Sequence, residues 1–260
     1  MSIIETASRL ATLSEFEELY DSATGKWRLP RYLVEPLTPE LIARWKRECE
    51  LTGAPVEREV GALYRSLIHL LQPSRVIETG TNFGYSAWCL GTALAELGGD
   101  RMLSTLDVWE CHHVFRGAPA ERYIHFIKAS SLEVDLGLLP PSADMLVLDS
   151  DHRYSTIMGE LNRLAPLLTV GGTAILHDTL YYDGVGFAVR ALIRSRAFEI
   201  VTLPTPRNRE DGVRPAGLSI ARKVSDCRPG FLPFDDALSE VEVCLGDRTD
   251  RDLPVLYQSP

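Results

Sequence analysis

From residue 74 onward the chain alternates short apolar runs with amphipathic stretches, and several of the runs stop at a glycine turn or at an acid or imidazole side chain. That alternation is the strongest constraint on the fold. The apolar runs predict strands at 75–78, 102–106, 124–128, 144–148, 173–176, 199–203 and 218–221. Helical spacing of apolar residues predicts helices at 85–97, 154–168 and 184–196. Strands separated by helices imply a mainly parallel sheet covered on both faces. Right-handed crossovers then bring the carboxyl ends of the strands to one edge, where ligands bind. The last two strands are joined by residues 204–217, which carry charge, Pro, Gly and Asn but no helical pattern. A hairpin with one antiparallel strand is expected there.

Upstream, residues 1–55 read as an N-terminal helical cap, with Leu41, Ile42 and Trp45 near helical spacing. Residues 57–71 place Val60, Leu63, Tyr64, Leu67, Ile68 and Leu71 on one face, and Pro73 stops that helix. The domain is expected over 56–223, with 224–260 as an acidic C-terminal appendage. The 260 residues carry 27 Lys+Arg against 36 Asp+Glu, a net charge of −9. That balance argues against a nucleic-acid surface. No apolar run approaches the roughly 20 residues of a membrane span. The first residues lack the basic-then-apolar pattern of a signal peptide. A cytoplasmic protein is expected. Cys49, Cys89, Cys111, Cys227 and Cys244 are scattered and odd in number, so neither a disulfide framework nor a structural zinc site is expected. Apolar helix faces in excess of one sheet suggest a homodimer.

Four features carry chemistry. The first is Glu78-Thr79-Gly80-Thr81-Asn82-Phe83-Gly84, a turn between a strand and a helix. Its glycines are spaced Gly-x-x-x-Gly rather than GxGxxG, which disfavours a pyrophosphate loop and a dinucleotide cofactor. The second is Asp107, at the next strand end and 23 residues beyond Gly84. An ionised carboxylate only accepts hydrogen bonds, which suits a ribose diol with two donors. Together these two features point to a nucleoside. The third is Asp149-Ser150-Asp151-His152 and the fourth is His177-Asp178, at two further strand ends. Asp149, Asp178 and His177 are candidate ligands of one divalent cation, either magnesium-like or, with the imidazole, a transition metal. His152 is a candidate general base, with Asp149 beside it. Trp109, His112, His113 and Phe115 are candidates to frame an adenine, Ser130 and Ser131 to meet its edge, and Tyr181 and Tyr182 to line an acceptor pocket.

Residues 76–90, Asp107, 144–152 and 171–178 together resemble class I S-adenosylmethionine-dependent methyltransferases. The likeness extends to the small O-methyltransferase group of sugar and macrolide O-methyltransferases and cephalosporin-hydroxylase-like proteins. It implies a Rossmann-like, doubly wound, seven-stranded sheet with an antiparallel last strand and an N-terminal helical extension. It also implies that Glu78, Gly80, Thr81, Gly84, Tyr85, Ser86, Asp107, Ser130 and Asp149 hold S-adenosylmethionine. Metal-dependent members of the group bind magnesium through acids at the positions of Asp149, His177 and Asp178, and use a His at the position of His152 as base. This chain departs from them at His177, where they carry an acid. No lysine lies in 149–153, so the lysine base of catechol-type relatives is not carried over. The implied activity is O-methylation of a small hydroxylated molecule such as a sugar or secondary metabolite. Other chemistry on the same cofactor (N-methylation, cyclisation or lyase action) and a non-catalytic member of the fold stay open at this level.

Overall fold

The computed structural model describes residues 56–110, 113, 115–205 and 215–242, together with the backbone of 20–21 and 26–27. The chain divides into two compact units, Met1–Arg44 and Trp45–Pro260. In the first, Tyr20–Asp21 pairs antiparallel with Lys26–Trp27. The helix expected near 39–49 lies outside the described residues.

The second unit is built on a seven-stranded sheet. Its strands are β1 (Arg75–Thr79), β2 (Met102–Asp107), β3 (Ile124–Lys128), β4 (Ala143–Leu148), β5 (Leu168–His177), β6 (Phe198–Leu203) and β7 (Leu218–Lys223). The order across the sheet is β3-β2-β1-β4-β5-β7-β6. Neighbours from β3 to β5 are parallel, and β7 runs antiparallel to both β5 and β6. The Rossmann-like architecture and the antiparallel last strand therefore hold. Among the described residues, four helices cover the sheet: α1 (Arg58–Leu71), α2 (Tyr85–Leu97), α3 (Tyr154–Leu164) and α4 (Asp183–Ser195).

Two cores form because strand side chains alternate between faces. On β4, Met145 and Val147 join a cluster with Val60, Tyr64 and Ile68 of α1 and Leu90 and Leu94 of α2. Leu146 and Leu148 point the other way, into a cluster with Ile157 and Leu161 of α3 and Val189 and Leu192 of α4. A strand buried on both faces reads as a continuous apolar run, as Met145–Leu148 does.

Two expected boundaries differ by more than two residues. Helix α3 ends at Leu164, and Pro166 sits in a separate 3-10 turn, Ala165–Leu167. Strand β5 begins at Leu168, not Thr173. Its pairing with β4 jumps from Ala143↔Leu168 to Met145↔Thr173, so residues 169–172 are a register break inside the strand. The described part of the tail is knit into the unit. Leu232 is buried in the core, and Asn162 of α3 bonds it twice, to its carbonyl at 3.1 Å and from its N–H at 2.8 Å. The Val241 carbonyl accepts from the Tyr154 N–H at the start of α3. No described helix is long and apolar enough to cross a membrane.

Candidate active site

Strand β1 delivers the Glu78–Gly84 turn to the carboxyl edge. Gly80 has φ +85, and a Cβ there would collide with the backbone carbonyl of Asp149. The turn is pinned on both sides: the Gly80 N–H donates to the Leu106 carbonyl at 2.9 Å, and the Asp149 N–H to the Thr79 carbonyl at 3.1 Å. Gly84, at φ +83, caps α2, and a Cβ would meet the Phe115 ring at 2.8 Å. Thr81 and Thr105 share a hydroxyl hydrogen bond of 2.7 Å, and Thr105 donates to Glu78 at 2.6 Å.

Glu78 is fully buried beneath this turn. Burial pushes its pKa up to about 8, against hydrogen bonds from Ser86 and Thr105 that pull it down. The native state therefore holds the proton more tightly than the unfolded chain, whose glutamates titrate near 4.5. Stability should fall as pH rises from about 4.5 to about 8. Glu78→Gln should flatten that fall by about 3 kcal/mol. Melting temperatures from pH 5 to 8 would read this directly, and parallel curves for the two proteins would contradict it.

Asp107 ends β2. Its Oδ2 accepts from the Asn82 N–H at 2.7 Å and its Oδ1 from the Trp109 N–H at 2.9 Å. Each oxygen keeps a lone pair, since a carboxylate offers about four acceptor sites. The carboxylate thus ties the Gly turn to the following loop and still faces the cleft.

Beside it lies a cluster of imidazoles and acids. His177, at 2% exposure, sits with Nδ1 3.1 Å from Asp149 Oδ1 and Nε2 2.9 Å from Glu57 Oε2. His152 stacks on Tyr182, with ring centroids 4.0 Å apart. Its Nε2 lies 3.0 Å from Asp178 Oδ2 and 3.8 Å from Asp149 Oδ1. Asp178 is almost fully buried and adopts φ +57, an uncommon conformation for a non-glycine residue. Burial alone would lower the His152 pKa, but hydrogen bonds and charge from Asp149 and Asp178 raise it to about 9. Burial would likewise lower His177, and the same two carboxylates hold it well above its usual value. Burial would raise Asp149, and the facing imidazoles outweigh it and keep the carboxyl below its ordinary range. The phenol of Tyr64 is completely buried near these carboxylates, and both burial and their charge raise its pKa.

A cavity of about 660 Å³ joins these parts. Gly80, Asp107, Asp149 and Asp178 all line it, with Thr81, Tyr85, Ser86, Ser130, His152 and His177. Glu78 and Gly84 are not on its wall. Trp109 and Ser131 line it too, as does Tyr182. Phe115 and His113 do not: both are buried, stacked on each other at 5.0 Å, with His113 also against Phe126. His112 lies outside the described residues. Asp149, His152 and Asp178 offer ligand atoms within 4.8 Å of one another. His177 is not in that group, although its Nδ1 lies 3.1 Å from Asp149 Oδ1 and 3.6 Å from Asp178 Oδ2. Sequence reasoning overlooked Glu57 and Glu160. Glu57 lies just before α1 with no local pattern around it, and Glu160 reads as an ordinary polar residue of an amphipathic helix.

This geometry belongs to a recognisable class. Residues 77–179 match a family described as a methyltransferase domain. A rhamnosyl O-methyltransferase from Mycobacterium bovis is 28% identical over 124 residues, 45% of this chain and 50% of that protein. Protein y4gI from Sinorhizobium fredii is 27% identical over 128 residues, 44% of this chain and 14% of its own length. The chain thus spans half or less of these curated relatives. Among solved structures, the O-methyltransferase TomG from Streptomyces achromogenes, involved in tomaymycin synthesis and solved in complex with SAM, superposes with a TM-score of 0.58 at 18% identity, covering 81% of this chain and 99% of that one. An O-methyltransferase from Bacillus cereus in complex with SAH gives 0.57 at 17%, covering 81% and 100%. At such identities these structures speak to the fold.

Proposed function

We propose that the chain transfers a methyl group from S-adenosylmethionine to a hydroxyl of a small molecule. One observation carries this: four strand tips bring Gly80, Asp107, Asp149 and Asp178 to a single cavity, with His152 at its wall. The residues fit the cofactor. The Gly80 turn leaves no room for a side chain, Asp107 turns acceptor lone pairs to the cleft, and the cavity lies in the usual size range for a small-molecule ligand. When bound, S-adenosylmethionine supplies a methyl group made electrophilic by its sulfonium. The protein's part is alignment: Gly80 and Thr81 seat the amino-acid end, and Asp107 fixes the ribose, so that the methyl faces the imidazole–carboxylate cluster.

The acceptor hydroxyl must lose a proton. His152 is placed to take it, held between Tyr182 and Asp178; because the carboxylates raise its pKa to about 9, the neutral form that can accept the proton grows as pH rises towards 9, and turnover should rise with it. Asp149 and Asp178 are the oxygen donors that would hold a divalent cation, whose charge would acidify the hydroxyl. His177 orients Asp149 and answers Glu57 rather than adding a ligand. The rhamnosyl O-methyltransferases among the relatives favour a deoxysugar hydroxyl as acceptor.

The test is incubation of the full chain with S-adenosylmethionine and a panel of rhamnosides. S-adenosylhomocysteine and a methyl ether should appear together. Methylthioadenosine as the sole product would overturn the reading. His152→Ala should slow turnover by roughly 100-fold or more while leaving S-adenosylhomocysteine affinity unchanged. Unaltered turnover would remove His152 from the chemistry. EDTA should cut turnover roughly tenfold or more, with magnesium or manganese restoring it. Indifference to EDTA would exclude the cation. For assembly we keep the homodimer and the cytoplasmic setting; a light-scattering mass near 28.9 kDa would exclude the dimer.

A further inference from the structure

Glu160 is a buried acid that the proposed chemistry does not use. It sits on α3 with no solvent exposure. Ser150 donates its hydroxyl proton to Glu160 Oε1 at 2.6 Å. Ser131 and Thr79 reach the same carboxyl in looser geometry, without closing an aligned bond to Oε2. Burial is the main influence on the group and lifts its pKa to about 7, against the hydrogen bonds of Ser131, Ser150 and Thr79.

Both serines also line the cavity. Ser131 follows β3 and Ser150 follows β4, which are not neighbours in the order β3-β2-β1-β4-β5, and α3 brings them together, with Leu132 packed against Gly159 beside Glu160. With the ribose at Asp107 on β2 and the amino-acid end at the Gly80 turn on β1, the nucleobase falls toward β3. There 129–132 and Thr156 close the wall. A serine hydroxyl has one proton. Once that proton is given to a carboxylate, only oxygen lone pairs remain to face the cavity.

Resting on the cofactor reading above, we propose that Glu160 is a positioning residue. By taking the hydroxyl proton of Ser150, it leaves that oxygen as an acceptor on the cavity wall, beside Ser131, that recognises the exocyclic amine of adenine and rejects a nucleobase carrying a carbonyl there. A buried acceptor facing another acceptor loses its hydrogen bond and keeps the desolvation cost.

The experiment is calorimetric titration of the full chain at pH 8 with S-adenosylhomocysteine and with S-inosylhomocysteine, in which the amine is replaced by a carbonyl. Wild type should prefer the adenosyl compound by roughly tenfold or more. In Glu160→Gln the amide N–H donates to a serine oxygen, and that hydroxyl proton turns into the cavity. The preference should then shrink by roughly fivefold or more, while the melting temperature stays near wild type. A folded Glu160→Gln protein with the wild-type ratio would overturn the proposal. Should that variant not fold, Ser131→Ala and Ser150→Ala each delete one acceptor without adding bulk. At least one should lower the ratio, and two unchanged ratios would overturn the proposal equally. If wild type binds neither compound, the cofactor reading itself falls, which is distinct from a ratio that ignores Glu160.

Discussion

Replacing Gly80 with alanine is expected to unfold the centre of the site. Two independent costs meet at this position. The backbone is at φ +85, where a Cβ costs roughly 1–2 kcal/mol. The new methyl would also be driven into the Asp149 carbonyl, and the neighbour is backbone, so no side-chain rotation can relieve it. Overpacking of this kind costs roughly 1–3 kcal/mol, so the sum is about 3 kcal/mol or more. For a domain of this size that is a drop of about 10 °C in melting temperature. The same displacement moves the Gly turn away from β4 and should abolish S-adenosylhomocysteine binding even where the protein stays folded. Thermal melts and calorimetry on one sample check both parts. A Gly80→Ala protein with wild-type melting and affinity would mean that the β1 and β4 tips do not cross so closely.

Asp107→Ala carries the second large effect. Its carboxylate serves two jobs at once. It would bind the ribose hydroxyls, and it holds the N–H groups of Asn82 and Trp109 on either side of the cleft. A hydrogen bond to a charged group contributes roughly 1.5–3 kcal/mol, so losing the diol contacts alone weakens binding by roughly 100-fold. Loosening both loops adds to that. Asp107→Asn keeps one acceptor oxygen and should lose roughly tenfold. Calorimetry with S-adenosylhomocysteine separates the two variants. Equal, wild-type affinity in both would take Asp107 out of the ribose site.

Much of this was legible before any coordinates. Helix α2 is read at its observed bounds, because Gly84 opens it and Gly98-Gly99 close it. Strand β3 likewise stands at 124–128. The start of β5 was not legible: Gly171-Gly172 look like a turn, whereas they lie within a register break that leaves the strand unbroken. The four cleft residues Gly80, Asp107, Asp149 and Asp178 could be named because a parallel sheet places every strand's carboxyl end on one edge. Contacts that depend on rotamers or on remote segments could not be read. His177 lies beside Asp178 in sequence, yet Glu57, 120 residues earlier, faces one of its nitrogens. The stacking of Tyr182 on His152 depends on how α4 begins, and the serine-lined pocket around Glu160 depends on how α3 packs against residues 129–132. Charge pairs and buried acids of this kind follow from tertiary packing, which local periodicity does not encode.

The central claim is that one nucleoside-shaped cleft is assembled from the tips of β1, β2, β4 and β5. Isothermal titration of the intact chain with S-adenosylhomocysteine tests it most directly. The account predicts saturable binding at one site per chain, with a dissociation constant of roughly 1–100 μM. No detectable heat or displacement at roughly 1 mM ligand, from a sample shown to be folded, would contradict it.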